Sequence, residues 1–343
     1  MPKSAEILPT HTPALFRQAV LRAAQVLRSG GIAAIPSETV YGLAANAFES
    51  EAVARIYQAK GRPAANPLIV HVATAAMARE CAAEWPPMAE RLAGRFWPGP
   101  LTLVVPRSPR IPDLVAAGGP TVGLRWPAHP FFQSVIRECG FPLAAPSANP
   151  SDQLSPTTAE HVVAGLGDRI PLIVDGGPCV VGIESTVVDV TGSRPRILRP
   201  GVISAEQVAE AAGVQPGVQT DADEGPLRSP GQLSRHYSPR ARLEMWAWNS
   251  DRELADRLTA QGIGKDRLFV LAHSRIPSDP MPAQVSFIPD DPEAFARALY
   301  RYLHECDARG ATLVVVEHLP GDSAWDGVRD RLQRASASVG GKP

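Results

Sequence analysis

Between residues 202 and 239 the chain collects Gly213, Pro216, Gly217, Asp221, Asp223, Glu224, Gly225, Pro226, Pro230 and Gly231, and this stretch constrains how the rest can fold. Glycine and proline at that density favour turns and extended linkers over packed elements. On either side of it, short apolar runs alternate with segments of helical period. A chain of 343 residues also exceeds what one hydrophobic core usually serves. Two α/β domains joined by a linker are therefore expected, with boundaries at 1–201, 202–239 and 240–343.

In the first part, residues 14–29 repeat apolar positions at helical spacing (Leu15, Ala19, Leu21, Val26) and stop at Gly30-Gly31. A short buried strand is predicted at 32–35, and a helix over 51–60, capped by Ser50 and ended by Gly61. Further strands are expected at 68–72, 101–105, 122–126, 143–145, 172–174 and 185–190, with helices such as 129–139 and 158–166. Some neighbouring strands lack an intervening helix, so the expected fold is a twisted mixed sheet with helices. After the linker, strands at 242–248, 268–271 and 312–316 alternate with helices at 251–261, 292–306 and 323–335. Three strand–helix units of this length fit a small, Rossmann-like, doubly wound domain. The 35 prolines point the same way, toward stiff loops rather than a helical bundle.

Several function classes drop out. No apolar run approaches the ~18–20 residues needed to cross a membrane, and the N-terminus lacks the basic-then-apolar pattern of a signal peptide, so a cytoplasmic protein is expected. Cys81, Cys139, Cys179 and Cys306 are far apart, which fits buried thiols better than a zinc site or a disulfide framework. Residues 1–200 carry 18 Lys and Arg against 15 Asp and Glu, and residues 201–343 carry 16 against 20. Neither balance suits a protein that grips nucleic acid along many phosphates. The two commonest nucleotide-binding glycine motifs, the paired histidines of zinc hydrolases and the Gly-x-Ser-x-Gly elbow are all missing.

Four stretches have chemistry to offer. Lys60-Gly61-Arg62 sets two cations across a helix end, where they can converge on one anion, although the same spacing suits a solvated helix terminus. Lysine is scarce, with only Lys3, Lys60, Lys265 and Lys342 among 34 basic residues, so a lysine at position 60 is a pointed choice. Pro146-Ser147-Ala148-Asn149 closes a strand, where its hydroxyl and amide can meet a phosphate, ribose or base, or simply form a turn. Pro36-Ser37-Glu38-Thr39 and Glu184-Ser185-Thr186 each put hydroxyls and a carboxylate at a strand end.

In order along the chain, Pro-Ser-Glu-Thr-Val-Tyr-Gly-Leu (36–43), Lys-Gly-Arg-Pro-x-x-Asn-Pro-Leu (60–68), Gly-Leu-Arg-Trp-Pro (123–127), Pro-Ser-Ala-Asn (146–149), Glu-Ser-Thr-Val-Val-Asp (184–189) and Leu-Arg-Pro-Gly (198–201) resemble the YrdC/Sua5 family of threonylcarbamoyl-AMP synthases. The second domain, reached through Ser229-Pro230-Gly231 and His236-Tyr237-Ser238-Pro239, resembles the longer, Sua5-type form. Ser37 stands where threonine is common, and Gln232-Leu233-Ser234 departs from the usual residues before Arg235.

The resemblance implies an enzyme that joins L-threonine, bicarbonate and ATP into threonylcarbamoyl-AMP and pyrophosphate, a nucleotidyl transfer with Mg2+ on the ATP. The product would pass to the tRNA threonylcarbamoyl transferase machinery that modifies adenosine 37, with no tight tRNA binding and no membrane. Lys60 and Arg62 would be catalytic. They would bind ATP together with Asn66, Thr121, Ser147, Asn149, Ser155, Arg199 and Tyr237. Thr39, His71, Arg125, the Ala145 carbonyl and Ser185 would hold threonine, and no metal ligands are assigned. The linker is expected to act as a lid, with Tyr237 on the nucleotide and Arg235 or His236 near the phosphates. An RNA-binding module fits less well, because the charge is near neutral and interleaved aromatics are lacking. A carbamoyl transferase of the hydrogenase-maturation type would bring zinc-finger cysteine pairs, which this sequence lacks.

Overall fold

A computed structural model describes residues 5–215, 237–278 and 280–336. Arg235 and His236, expected in the lid, lie outside the described residues. The chain divides into two units, Met1–Ser151 with Ser155–Gln232, and Asp152–Leu154 with Leu233–Pro343.

The first unit is built on ten strands: β1 (Glu6–Pro9), β2 (Ala33–Ile35), β3 (Gly42–Asn46), β4 (Ile69–His71), β5 (Leu101–Pro106), β6 (Thr121–Arg125), β7 (Leu143–Ala144), β8 (Leu172–Asp175), β9 (Thr186–Asp189) and β10 (Arg196–Arg199). They form one sheet in the order β1-β8-β2-β3-β7-β4-β6-β5-β9-β10. Its pairing is mixed, as expected. β4 runs parallel to β6, while β7 is antiparallel to both its neighbours, β3 and β4.

Seven helices accompany the sheet: α1 (Pro13–Arg28), α2 (Ser50–Lys60), α3 (Ala75–Cys81), α4 (Pro87–Phe96), α5 (Pro130–Cys139), α6 (Ala159–Leu166) and α7 (Ala205–Ala212). Thr12 caps α1 by accepting the Leu15 N–H, and proline opens the helix where a missing N–H costs nothing. Helix α2 begins one residue earlier than predicted, with Glu49 rather than Ser50 at the cap, and ends at Gly61 with φ 61°, the left-handed turn that glycine permits. Apolar residues on the two faces of the sheet belong to separate core clusters. Leu43, Val70, Leu124 and Ala144 lie in one, and Ala33, Ile35, Ala44, Leu143 and Phe132 in the other.

Helix α7 falls inside the stretch expected as a linker. Ser204 and Gln207 make a reciprocal capping box at its start, and Val208 and Ala212 are buried in the first unit's core.

In the second unit, β11 (Arg242–Trp246), β12 (Leu268–Ala272), β13 (Gln284–Phe287) and β14 (Leu313–Glu317) form an all-parallel sheet in the order β11-β14-β12-β13. Helices α8 (Asp251–Thr259), α9 (Pro292–Ala308) and α10 (Asp326–Ser336) follow β11, β13 and β14, while β12 leads to β13 without one, and the parallel sheet with its helices is the expected Rossmann-like arrangement. Strand β13 went unpredicted because it is a half-exposed edge strand with a polar start. All four cysteines are buried free thiols. Among the described residues no helix is long and apolar enough to cross a membrane.

Candidate active site

The site grows from short strands in the middle of the larger sheet. With only three residues, β4 spans about 10 Å, so side chains from its two ends come within reach of each other. Register sets His71 beside Arg125 at the ends of β4 and β6. The Ala145 N–H donates to the Ile69 carbonyl at 3.0 Å, which lays the residues after β7 along the start of β4. The strand-end argument for 146–149 therefore needs correcting. Because β7 runs against its neighbours, its carboxyl end lies beside the beginning of β4, not beside the His71–Arg125 edge.

Lys60, the last residue of α2, is buried and turns its ammonium toward this segment. Nζ donates to the Ser147 carbonyl at 2.6 Å and to the Asn149 carbonyl, with Asn149 Oδ1 at 3.4 Å. The Ser151 N–H returns a bond to the Lys60 carbonyl at 2.9 Å. Arg62 folds over its own turn, donating from Nε to the Asn66 carbonyl at 3.1 Å and from Nη2 to the Pro67 carbonyl at 2.9 Å. The spacing allowed convergence on one anion or a solvated helix terminus; both cations are buried, and each donates to a different pair of carbonyls. Asn66 Oδ1 is buried with no hydrogen-bond partner.

At the other end, Arg125 is the hub. Nη1 donates to Thr39 Oγ1 at 2.8 Å, Nε to the Gly99 carbonyl at 3.3 Å, and Nη2 lies 2.6 Å from Glu38 Oε1. Thr39 is braced from behind by Ser37, whose hydroxyl lies 3.0 Å from it. Burial pushes the Glu38 carboxyl up, but the Arg125 charge and the Ala128 N–H outweigh it and hold the group below its ordinary range. His71 is buried with its ring stacked on Phe132 at 4.8 Å. Burial, reinforced by Arg125, pushes its pKa down to about 3, so the imidazole is neutral.

Ser185, one residue before β9, shares a 2.8 Å hydrogen bond with Thr102 Oγ1. Arg199 clamps it, with Nη2 donating to the Ser185 carbonyl at 2.9 Å and to its hydroxyl at 3.1 Å. Gly201 permits this approach. A Cβ there would sit 2.5 Å from the Thr186 nitrogen, which no side chain tolerates. Ser155 donates to Glu184 Oε1 at 2.5 Å, and both are buried.

The structure thus gathers Lys60 with Ser147 and Asn149, Arg62 with Asn66, Thr39 and His71 with Arg125, and Ser185 with Arg199. Thr121 opens β6 at the end away from Arg125 and is partly exposed. Tyr237 belongs to the second unit, where it is buried at φ 62° beside Tyr300, with the Arg331 guanidinium 5.3 Å over its ring. Glu38, Glu184 and Thr102 received no role from the sequence. The two acids lay inside quoted motifs, and the available signal was a carboxylate directly preceding a predicted ligand-binding hydroxyl, Thr39 or Ser185.

Fold and site together mark an α/β protein that buries several cations around small polar side chains, and the chain belongs to the Sua5/YrdC family. Residues 25–201 match the Sua5, YciO and YrdC family model, described as telomere recombination. Residues 203–337 match the model described as threonylcarbamoyl-AMP synthase, C-terminal domain. A threonylcarbamoyl-AMP synthase of Pyrococcus abyssi is 38% identical over 323 residues, covering 92% of this chain and 93% of the relative. The synthase of Bacillus subtilis is 38% identical over 329 residues, with 92% of each chain covered. The crystal structure of P. abyssi Sua5 complexed with L-threonine superposes with a TM-score of 0.86 at 36% identity, covering 97% of this chain and 98% of that one.

Proposed function

We propose that this protein is a threonylcarbamoyl-AMP synthase, a nucleotidyltransferase that converts L-threonine, bicarbonate and ATP into threonylcarbamoyl-AMP, pyrophosphate and water. The observation that carries the reading is the grouping of four buried cations, Lys60, Arg62, Arg125 and Arg199, with the small polar side chains of Thr39, Asn149 and Ser185. Buried cations among such hydrogen-bonding groups suit an anionic ligand. A triphosphate attacked by an anionic carbamate is such a ligand.

Catalysis of this reaction rests on positioning and charge neutralisation, with little covalent work for the protein. Lys60 and Arg62 face the phosphates, and Asn66, Thr121, Ser147, Asn149, Ser155 and Arg199 complete the nucleotide's contacts in the first unit. Arg125 takes the threonine carboxylate. Thr39, His71, Ser185 and the Ala145 carbonyl surround the rest of the amino acid. Because its imidazole is neutral, His71 orients through hydrogen bonding rather than charge. Among the described residues no three His, Cys, Asp or Glu side chains gather to hold an ion, so magnesium enters as part of the substrate, on the nucleotide's phosphates. The product then serves the transferase machinery that modifies tRNA in the cytoplasm.

The test is mass spectrometry of the nucleotide formed when the full chain is given threonine, bicarbonate and ATP. The expected product is the threonylcarbamoyl adenylate, with pyrophosphate release dependent on all three substrates. Pyrophosphate release indifferent to threonine would refute the reading.

A further inference from the structure

The amino-acid end of the site contains an acid that the chemistry above leaves without a task. Glu38 is buried, with Oε1 ion-paired to Arg125 and accepting the Ala128 N–H at 3.0 Å. Its other oxygen, Oε2, is buried with no hydrogen-bond partner. His71 Nδ1 is in the same condition, and Arg125 Nη2 meets Glu38 as an ion pair without a hydrogen bond. These residues adjoin one another, since His71 is the register partner of Arg125 and Arg125 holds Thr39, the neighbour of Glu38. Buried polar atoms are nearly always satisfied. A buried carboxylate oxygen without a donor, beside an imidazole nitrogen without a partner, calls for a ligand that brings a donor.

We propose that Glu38 is the specificity-determining residue that makes this pocket select an α-amino acid zwitterion, with Arg125 taking the carboxylate and Glu38 Oε2 accepting from the ammonium group. The proposal rests on the reading of this pocket as the threonine site. Glu38 already balances the charge of Arg125, so a ligand that is only an anion gains less here than one that also carries a cation. An α-hydroxy acid presents Oε2 with a neutral donor, and a charge-assisted hydrogen bond is roughly twice as strong as a neutral one. The carboxyl is held below its ordinary range, so Glu38 is charged when the zwitterion binds; the ammonium must still give up a proton to solvent before the free amine can be carboxylated.

The test is calorimetric titration of the full chain, without ATP, with L-threonine and with 2,3-dihydroxybutanoate, which replaces the amino group by hydroxyl. The parent protein is expected to prefer threonine by at least about tenfold. Glu38→Gln, which keeps the shape and removes the charge, should collapse that preference. Glu38→Asp, which keeps the charge, should weaken both ligands and preserve it. A purely structural role would weaken both ligands equally in Glu38→Gln, and an unchanged ratio there overturns the proposal. If Glu38→Gln does not fold, loss of the preference in Glu38→Asp overturns it instead. Failure of the underlying reading shows separately, in a parent protein that binds no threonine and forms no adenylate, and it removes the proposal too.

Discussion

Replacing Lys60 by methionine tests whether the ammonium organises the site or merely decorates a helix end. Methionine keeps the apolar stem inside the core, so no large cavity opens, and the loss includes the donors on the Ser147 and Asn149 carbonyls. A buried acceptor stripped of its donor costs about 1–3 kcal/mol, and two are stripped here. Against this stands the relief of removing a buried charge, whose desolvation penalty is several kcal/mol before its partners compensate. With about 4 kcal/mol lost at the two acceptors and about 1–2 kcal/mol of that relief remaining once the carbonyls' compensation is counted, the net loss is about 2–3 kcal/mol. For a unit of this size each kcal/mol moves the midpoint by about 2–4 °C, so the first unit should melt about 5–10 °C lower. Differential scanning calorimetry of the full chain reads that shift, and isothermal titration reads the accompanying loss of ATP affinity. Arginine at this position should rescue neither, because a planar fork cannot stand between two carbonyls that a compact ammonium bridges. A Lys60→Met protein that melts within about 1 °C of the parent and keeps its turnover at limiting ATP would refute the reasoning.

Gly201→Ala should separate the chain from β9 and cost about 1–3 kcal/mol through overpacking, with turnover falling because Ser185 moves; an unchanged urea midpoint would show that the contact relaxes freely. Acidification should destabilise the protein by two overlapping routes. His71 titrates ordinarily at 6.5 but at about 3 when folded, so the unfolded chain takes the proton first and stability falls as pH drops from 6.5 toward 3. Glu38 is lowered from 4.5, so its contribution is present above 4.5 and disappears as pH falls through its folded value. Urea unfolding across pH should therefore show that His71→Gln flattens the slope between 6.5 and 4.5, and an unaltered slope there would contradict the burial argument. In product formation, threonine should exceed serine by the roughly 1–3 kcal/mol of one methyl group and exceed valine by more, since valine leaves the hydroxyl's partners unpaired. Equal turnover of valine would remove Thr39 and Ser185 from side-chain recognition.

Legibility in the sequence followed the range of the forces involved. Helix α2 could be read because its apolar period and Gly61 are local signals, and strands β12 and β14 because they are nearly continuous apolar runs. Strand β3 could not, since Gly-Leu-Ala-Ala-Asn has almost no strand propensity. It exists because small residues fit a tight place, where even a Cβ on Gly42 would lie 3.3 Å from that of Ala145. Helix α7 carried a readable Ser204…Gln207 capping box, but the surrounding glycines and prolines masked it. In the site, the scarcity of lysine singled out residue 60, yet neither its carbonyl partners nor the antiparallel course of β7 was visible, because both depend on contacts more than 70 residues apart.

The same distinction explains why the site uses two kinds of buried cation. Lys60 and Arg62 are oriented by backbone carbonyls, which carry only partial charge and fix a cation's direction without cancelling it. Arg125 lies against a carboxylate, a full opposite charge at 2.6 Å. A cation steered by carbonyls suits a polyanion such as a triphosphate. A cation balanced by a carboxylate suits a ligand that is itself balanced. The sequence writes this division as Lys-Gly-Arg-Pro on one segment and as Glu38 and Arg125, 87 positions apart, on two others. On the proposed reading, the first arrangement serves the nucleotide and the second the amino acid.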